Sequence, residues 1–288
     1  MMSMPMETIT EESRLARAGF YWRERAGVRA LVCAPLEQSG FTNAFSTRGG
    51  GVSPFPAAAL NLAGFSDDAA ANIHENRRRF LALLPGAWTL AAAWQVHGAD
   101  VCIVRARSQA AETEQQHCDA LITNVPAVLV GVKTADCVPI LLGDARNRVC
   151  AAVHAGWRGT GQAIVGAALA RMGAEYGTRA ADVHAAIGPA ALQCCYEVGR
   201  EVIETFRANF AYADELLVPT RPEHARIDLH RANRQQLSAA GVPGAQIYTA
   251  PLCTICRPDL FFSYRREKKI YGRTGRLLAV VGLMNAER

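Results

Sequence analysis

The chain has 288 residues and a formal net charge of +5, with 50% hydrophobic and 20% charged residues. This composition is ordinary for one large or two small globular domains, and neither the modest charge nor any run of Lys and Arg indicates nucleic-acid binding. No stretch of about 18 uninterrupted apolar residues is present, and the first 19 residues lack a secretory signal, so we expect no membrane partner and a cytoplasmic protein.

The predicted elements mix strands and helices. Residues 1–27 are predicted to form a loosely held N-terminal leader with at most one short helix, and residues 107–118 an exposed loop. Apolar runs predict strands at 28–36, at the start of 41–56, twice within 90–106, and at 127–133, 138–144, 149–155, 183–189, 245–252 and 276–284. Apolar residues at helical spacing predict helices at 67–84, 159–177, 198–210 and 229–241.

Some of these strands adjoin one another without an intervening helix, which argues against a purely doubly wound parallel sheet. We therefore predict an α+β fold for residues 28–288, which form a single domain with mixed β-sheets in its core and helices packed outside. The sequence does not determine the oligomeric state and is compatible with a monomer.

The nine cysteines are an odd number, and several lie inside apolar runs, which is typical of unpaired thiols in a reducing compartment. The close pairs are Cys194–Cys195 and Cys253–Cys256. A single C-x-x-C is a weak zinc signal, so both pairs are predicted to be ordinary buried or edge thiols.

Three potential metal ligands end core-like strands in glycine-rich surroundings: His97, Cys137 and His154. They are dispersed along the chain, and their spacing alone does not indicate a metal. Two imidazoles and a thiolate nevertheless suit zinc, and three protein ligands leave a catalytic fourth position in which water becomes a hydroxide at neutral pH. The alternatives are three unrelated strand-end residues, or a nucleophilic cysteine with a histidine base.

Two polar neighbours extend this constellation. Gln95 shares a strand face with His97, so its amide is a candidate to contact substrate, orient the imidazole or cap a strand edge. Asp136 precedes Cys137 and is either a hydrogen-bond partner of a ligand histidine or a turn residue.

Three arginines are candidates for anion binding. Arg48 precedes three glycines whose backbone N–H groups can approach a ligand closely, and Arg158 precedes a predicted helix N-terminus. Arg265, behind an apolar Phe-Phe pair, is the member of the basic segment 263–276 expected to turn inward. Surface pairing of these arginines is the alternative.

Taken together, these segments resemble the YfiH-type laccase-domain proteins, which are also named polyphenol oxidases, purine nucleoside phosphorylases or peptidoglycan editing factors. The resemblance runs in order from about residue 41, and the leader lies outside it. It departs from the family at Lys133, where many relatives have arginine. The motifs that carry it are FSTRGGGVS, LNLAGFSDD, WQVHGADV, DALIT, KTADCVPILL, VHAGWRGT, IGPAALQCCYEVG and FFSYRR followed by TGR.

The resemblance implies that His97, Cys137 and His154 form a metal site, with Zn²⁺ expected and Cu²⁺ as the alternative. It also implies phosphorolysis of adenosine, inosine, guanosine and methylthioadenosine, and deamination of adenosine, with nucleoside and phosphate as the small-molecule partners. Gln95 and the three arginines are the predicted substrate and phosphate contacts. The alternatives are a peptidoglycan editing hydrolase, a copper-dependent polyphenol oxidase and a non-enzymatic nucleoside-binding or structural zinc protein.

Overall fold

The computed structural model describes residues 10–55, 57–64 and 68–284, which form a mixed α+β structure as predicted. The strands are β1 (Phe20–Arg25), β2 (Val28–Cys33), β3 (Phe41–Ser46), β4 (Gly49–Ser53), β5 (Thr89–Ala92), β6 (Val101–Val104), β7 (Ala120–Thr123), β8 (Val128–Thr134), β9 (Val138–Asp144), β10 (Val149–Ala155), β11 (Val183–Ile187), β12 (Glu197–Gly199), β13 (Leu217–Arg221), β14 (His224–Ile227), β15 (Ile247–Thr249) and β16 (Leu277–Leu283). The α-helices are α1 (Glu11–Arg17), α2 (Ala34–Gln38), α3 (Ala70–Leu81), α4 (Trp157–Gly161), α5 (Ile164–Tyr176), α6 (Arg200–Asn209), α7 (Leu229–Ala239) and α8 (Tyr264–Tyr271). The 3₁₀ helices are Arg107–Gln115, Ala180–Asp182, Ala213–Leu216 and Gly244–Gln246.

Most strands belong to two six-stranded mixed sheets. The first sheet has the order β1-β2-β3-β16-β8-β5, and the second has the order β15-β11-β9-β10-β7-β6. Three short strands, β12, β14 and β13, form a separate small sheet. The chain crosses from the first sheet to the second between β5 and β6 and again between β8 and β9, so these connections are not hairpins.

The two large sheets face each other across an apolar core. Phe41 and Val130 of the first sheet pack in the same cluster as Leu141 and Ala152 of the second. Because alternate strand residues face opposite sides, the neighbours of these residues build two outer cores. One joins the second sheet to α5 and α7, and the other covers the first sheet beside α3.

The described part of the predicted leader, residues 10–27, packs against this core instead of being loosely held. Strand β1 pairs antiparallel with β2 along its whole length, and Leu15 and Phe20 are buried. The predicted boundary at residue 28 therefore falls inside a hairpin. Strand β1 lies at a sheet edge and its sequence shows only weak apolar alternation, so the local pattern does not indicate a strand there. Residues 1–9 of the predicted leader lie outside the described residues.

Other differences are local. The helix predicted at 159–177 is divided into α4 and α5 at Ala163, whose φ of 57° is left-handed. Residues 107–115 form a 3₁₀ helix, and the glycine-rich residues 49–53 form β4. Residue 67, the predicted start of the helix now bounded as α3, lies outside the described residues. None of the helices that the structure describes is long and apolar enough to cross a membrane.

Candidate metal centre

The two connections that run from the first sheet to the second, together with the end of β10, bring the three predicted ligands together. His97 lies in the β5–β6 crossing and Cys137 in the β8–β9 crossing, while His154 is the penultimate residue of β10. His154 has the same parity as Cys150 and Ala152, which face the core between the sheets. All three side chains therefore meet at one edge of that core.

The ligand atoms of His97, Cys137 and His154 lie within 4.8 Å of one another. The two imidazole rings meet edge to face, with centroids 4.9 Å apart. His154 is buried, whereas His97 is exposed and opens the cluster to a cavity. Gly156 permits this close packing, because a Cβ atom at that position would lie 3.1 Å from both the Cys137 Sγ and the His97 Cδ2.

The Asp119 carboxylate forms hydrogen bonds with two of the three predicted metal ligands, His97 and His154. It accepts hydrogen bonds from the backbone N–H groups of Val96, His97 and Gly98, at 3.1, 3.0 and 2.7 Å. The same carboxylate lies 2.7 Å from the His154 Nδ1. An Nδ1–H that donates to this carboxylate leaves the Nε2 lone pair of His154 available to a metal.

The electrostatics of the cluster favour a thiolate. Burial raises the pKa of the Cys137 thiol, but the charge of His154 and hydrogen bonds from both imidazoles lower it to about 6. Burial lowers the pKa of His154, but Cys137 and Asp119 raise it to about 9. Asp119 itself has a lowered pKa, because hydrogen bonds from His154 and Gly98 outweigh the effect of its burial.

These residues fit a metal ion. The set offers two imidazole nitrogens and a thiolate, which are borderline-soft ligands suited to zinc or copper, and a carboxylate already orients one imidazole. A Cys–His nucleophile would need only one imidazole, whereas here two converge on the sulfur. Within the described residues the cluster has three members, and Cys253 and Cys256 belong to a different group.

A cavity of about 530 Å³ opens over the cluster and is large enough for a small-molecule ligand. Trp94 and Tyr264 line it with side chains that are about half exposed, and Lys133 and Arg276 add cationic groups. Its other lining residues are Gly64, Gln95, His97, Thr134, Ala135, Cys137 and His154.

Gln95 is the one predicted substrate contact that the structure brings to this cavity. Its Nε2 donates to the Lys133 carbonyl at 2.8 Å, and its Oε1 accepts from the Lys133 N–H at 2.7 Å. The side chain therefore bridges the β5–β6 crossing to the end of β8 and fixes the backbone of the cavity wall.

The three predicted anion-binding arginines do not line the cavity. Arg48 is mostly buried and forms a 2.7 Å ion pair with Glu267, which occupies its guanidinium group. Arg265 donates to the Glu197 carbonyl at 2.6 Å. Arg158 pairs with Glu201 at the surface, where both side chains are more than half exposed.

Asp136 is not the partner of a ligand histidine, since Asp119 takes that place. The Asp136 carboxylate accepts hydrogen bonds from the hydroxyls of Thr254 and Ser263 and from the backbone N–H of Arg265. It thereby anchors the loop that carries Cys137 to two distant segments.

Sequence reasoning missed Asp119, Trp94, Tyr264 and Arg276. Asp119 had a usable signal, because it is a lone acidic residue directly before the fully buried strand β7. The other three come from separate parts of the chain, and nothing in their local sequence shows that they line one cavity.

The sequence and the fold are similar to those of several known proteins. Residues 42–284 match the family described as multi-copper polyphenol oxidoreductase laccase. The purine nucleoside phosphorylase YlmD of Geobacillus stearothermophilus is 36% identical over 261 residues, which cover 88% of this chain and 93% of YlmD. A protein named adenosine deaminase RL5, from an unknown prokaryotic organism, is 40% identical over 186 residues, which cover 62% of this chain and 71% of RL5. The crystal structure of the hypothetical protein YfiH of Bacillus licheniformis has a TM-score of 0.83 and 30% identity, and the match covers 92% of this chain and 98% of YfiH.

Proposed function

The chain belongs to the family of multi-copper polyphenol oxidoreductase laccases, the YfiH-type laccase-domain proteins, and from this premise we propose that it is a zinc-dependent purine nucleoside enzyme. Its proposed reactions are phosphorolysis of adenosine, inosine, guanosine and methylthioadenosine, and deamination of adenosine. The names of its relatives, a purine nucleoside phosphorylase and an adenosine deaminase, support this class of substrate.

One observation carries the proposal: a three-ligand cluster lies in the wall of a cavity that also presents aromatic and cationic side chains. The half-exposed rings of Trp94 and Tyr264 offer flat apolar surfaces on which a purine base can stack. Lys133 and Arg276 supply the positive charge that a phosphate requires. A nucleoside and a phosphate can therefore be bound side by side.

In phosphorolysis, a phosphate oxygen forms a bond to the anomeric carbon of the sugar while the glycosidic C–N bond breaks and the purine leaves with a proton. We assign Lys133 and Arg276 to binding and orienting the phosphate, since its charge must be held beside the sugar as this bond breaks. Stacking on Trp94 and Tyr264 would fix the purine relative to that phosphate.

His97, Cys137 and His154 are the residues that would hold the metal. A zinc ion with three protein ligands keeps an open coordination position and activates a water molecule at neutral pH, which is the chemistry that deamination of adenosine to inosine and ammonia requires. Asp119 acts as a positioning residue, because it fixes the His154 tautomer and the backbone of His97 through hydrogen bonds.

The substrate contacts predicted from the sequence are reassigned in this proposal. Gln95 remains at the substrate cavity and positions Lys133 through two backbone hydrogen bonds. Arg48 and Arg265 stabilise the surrounding fold through Glu267 and the Glu197 carbonyl. Arg158 is assigned to the surface.

The test uses zinc-replete protein of measured metal content with adenosine, inosine and methylthioadenosine, with and without phosphate. Free base that forms only with phosphate supports the phosphorylase, and inosine formed from adenosine supports the deaminase. Cys137→Ala should abolish both activities, whereas Cys102→Ala, at a thiol outside the cluster, should retain them. If zinc-replete protein produces neither product, the proposal is wrong. Turnover of a phenol or of a cell-wall precursor would then select the oxidase or the hydrolase.

The multi-copper oxidase alternative requires further copper ligands. Within the described residues, a single candidate metal cluster contains histidine. The other histidines lie outside this cluster; for example, His184 stacks on Tyr248, His117 lies near Trp94, and His230 is buried. One His2Cys site suits a single copper ion and does not provide the several copper ions that a multi-copper site needs.

A further inference from the structure

A second cluster of thiols lies outside the candidate metal centre. The Sγ atoms of Cys194, Cys195, Cys253 and Cys256 all lie within 4.8 Å of one another, although the two pairs are far apart in sequence. We propose that these four cysteines bind a structural zinc ion as four thiolates, and that this site fastens together the two segments that support the Cys137 loop.

The sheet topology explains why the two pairs meet. Strands β11 and β15 are parallel neighbours at one edge of the second sheet. Segments that leave the same ends of parallel strands emerge side by side, and here they stay paired, since Ala190 forms a parallel bridge with Cys253. The Thr254 N–H donates to the Ala190 carbonyl at 2.9 Å. The cysteine pairs thus follow adjacent strands into adjacent turns.

Each segment then turns sharply and presents its thiols to the other. The Cys195 N–H donates to the Leu192 carbonyl at 3.0 Å, and the Arg257 N–H donates to the Cys253 carbonyl at 3.1 Å. The second turn places both sulfurs of the C-x-x-C motif on one side, as in a zinc knuckle. The isolated C-x-x-C that is weak in the sequence thereby gains a second pair.

The sulfur separations suit a tetrahedral metal site better than a disulfide. The Sγ of Cys256 lies 3.1 Å from that of Cys195 and 3.6 Å from that of Cys194. Zn–S bonds of about 2.3 Å in a tetrahedron place the sulfurs about 3.8 Å apart, whereas a disulfide bond requires about 2.05 Å. One disulfide would use two of the four sulfurs, whereas one zinc ion uses all of them, each thiol releasing its proton.

The surroundings provide charge compensation and access. Four thiolates and Zn²⁺ carry a net charge of about −2. Arg226 donates from Nη1 to the Cys194 carbonyl at 3.2 Å, and its Nε is buried without a hydrogen-bond partner. Cys194 and Cys256 are exposed, which gives a metal ion a route from solvent, while Cys253 is buried.

The position of this cluster explains its structural role. The Thr254 hydroxyl, inside the C-x-x-C motif, donates to the Asp136 carboxylate at 2.6 Å. The Ala191 N–H, on the other segment, donates to the Asp136 carbonyl at 2.9 Å. Both segments therefore hold the residue that precedes Cys137, and a zinc ion between them would fix the loop from behind without touching the substrate cavity.

The decisive measurement is the zinc content per chain of protein prepared in zinc-supplemented medium, by mass spectrometry of the native protein and by elemental analysis. We expect two zinc ions in the wild-type protein, one in Cys137→Ala and one in the double variant Cys194→Ser/Cys256→Ser. The matched control Cys102→Ala should keep two. These counts do not depend on enzymatic activity, so they test this site separately from the proposed function.

A second measurement covers the case in which the double variant does not fold. X-ray absorption of zinc-loaded Cys137→Ala should show four sulfur neighbours at about 2.3 Å and no nitrogen neighbour. The proposal is wrong if Cys137→Ala contains no zinc, if its zinc has nitrogen ligands, or if the double variant retains as much zinc as the wild-type protein. Non-reducing peptide mapping that finds the four cysteines joined as disulfides in freshly purified protein would also overturn it.

Discussion

Asp119→Asn is the substitution that most directly tests how the candidate metal centre is held. Asp119 accepts three backbone N–H groups and lies 2.7 Å from the His154 Nδ1. Asparagine keeps the shape of the side chain but replaces one acceptor oxygen with an NH2 donor. Oδ1 accepts from His97 and His154, and Oδ2 accepts from Val96 and Gly98. Whichever of the two oxygens the NH2 group replaces, two N–H donors then face a donor instead of an acceptor.

The expected magnitudes follow from this count. A buried donor without an acceptor costs about 1–3 kcal/mol, so two of them lower the free energy of unfolding by about 2–6 kcal/mol. Partners that orient a metal-binding histidine contribute about 10–100-fold to metal affinity, which is about 1.4–2.7 kcal/mol. The variant should therefore bind zinc 10–100-fold more weakly even at temperatures where it remains folded.

The assay is competition for zinc with a chromogenic chelator at pH 7, combined with urea denaturation of the metal-free protein. Asp100→Asn is the matched control, because Asp100 is exposed and contacts Asp119 through its backbone carbonyl. Its zinc affinity should equal that of the wild-type protein. An Asp119→Asn protein whose affinity stays within twofold of wild type would refute the role of the carboxylate.

Three further predictions address the ligands and the cavity. Gly156→Ala should reduce zinc affinity about 5–160-fold, because the added methyl group would lie 3.1 Å from the Cys137 Sγ and overpacking costs about 1–3 kcal/mol. Unchanged affinity in the chelator assay would contradict this prediction. In metal-free protein, the alkylation rate of Cys137, measured by peptide mass spectrometry, should rise with pH to a plateau, with a midpoint near pH 6. The thiolate is the reactive form, and the neighbouring imidazoles lower the pKa of Cys137 to about 6 against the effect of burial. A midpoint between about pH 8 and 9 would show that the imidazoles do not lower this pKa. Lys133→Ala and Arg276→Ala should each raise the KM for phosphate about 10–100-fold, because a hydrogen bond to a charged group contributes about 1.5–3 kcal/mol, and should change the KM for the nucleoside less. The control Arg158→Ala should leave both KM values unchanged. A higher KM for phosphate in that variant would show that Arg158 contacts the phosphate.

The sequence predicted the fold where the hydrophobic pattern was strong. Strands β8, β9 and β10 are buried on both faces between other layers, and their continuous apolar runs predicted them. Strand β1 has a half-exposed pattern and β12 has three residues, so neither carries a distinct local signal. The partition into two facing sheets depends on long-range pairing, such as β16 with β3 and β8, which no local pattern contains.

Some residues of the candidate site could likewise be predicted from the sequence, and others could not. The ligand types at His97, Cys137 and His154 were evident because a polar residue at the end of an apolar strand is unusual. The arginine assignments rested on local glycine and helix patterns, and such patterns do not show which guanidinium is already paired. Arg48 illustrates this, since its partner Glu267 is more than 200 residues away in the sequence.

The β5–β6 and β8–β9 connections each contain a residue with a strained backbone conformation that nearby hydrogen bonds stabilise. His97 and Asp136 have left-handed φ values of 61° and 89°, each of which costs about 1–3 kcal/mol in a residue other than glycine. A buried carboxylate accepts hydrogen bonds at each strained position. At His97, the Asp119 carboxylate accepts from the backbone N–H. At Asp136, its own carboxylate accepts from Thr254, Ser263 and Arg265. These hydrogen bonds join groups of the polypeptide and require no metal ion. The side chains of His97, Cys137 and His154 are therefore brought together by the fold itself, and binding of the proposed metal ion would require little rearrangement of the backbone at either connection.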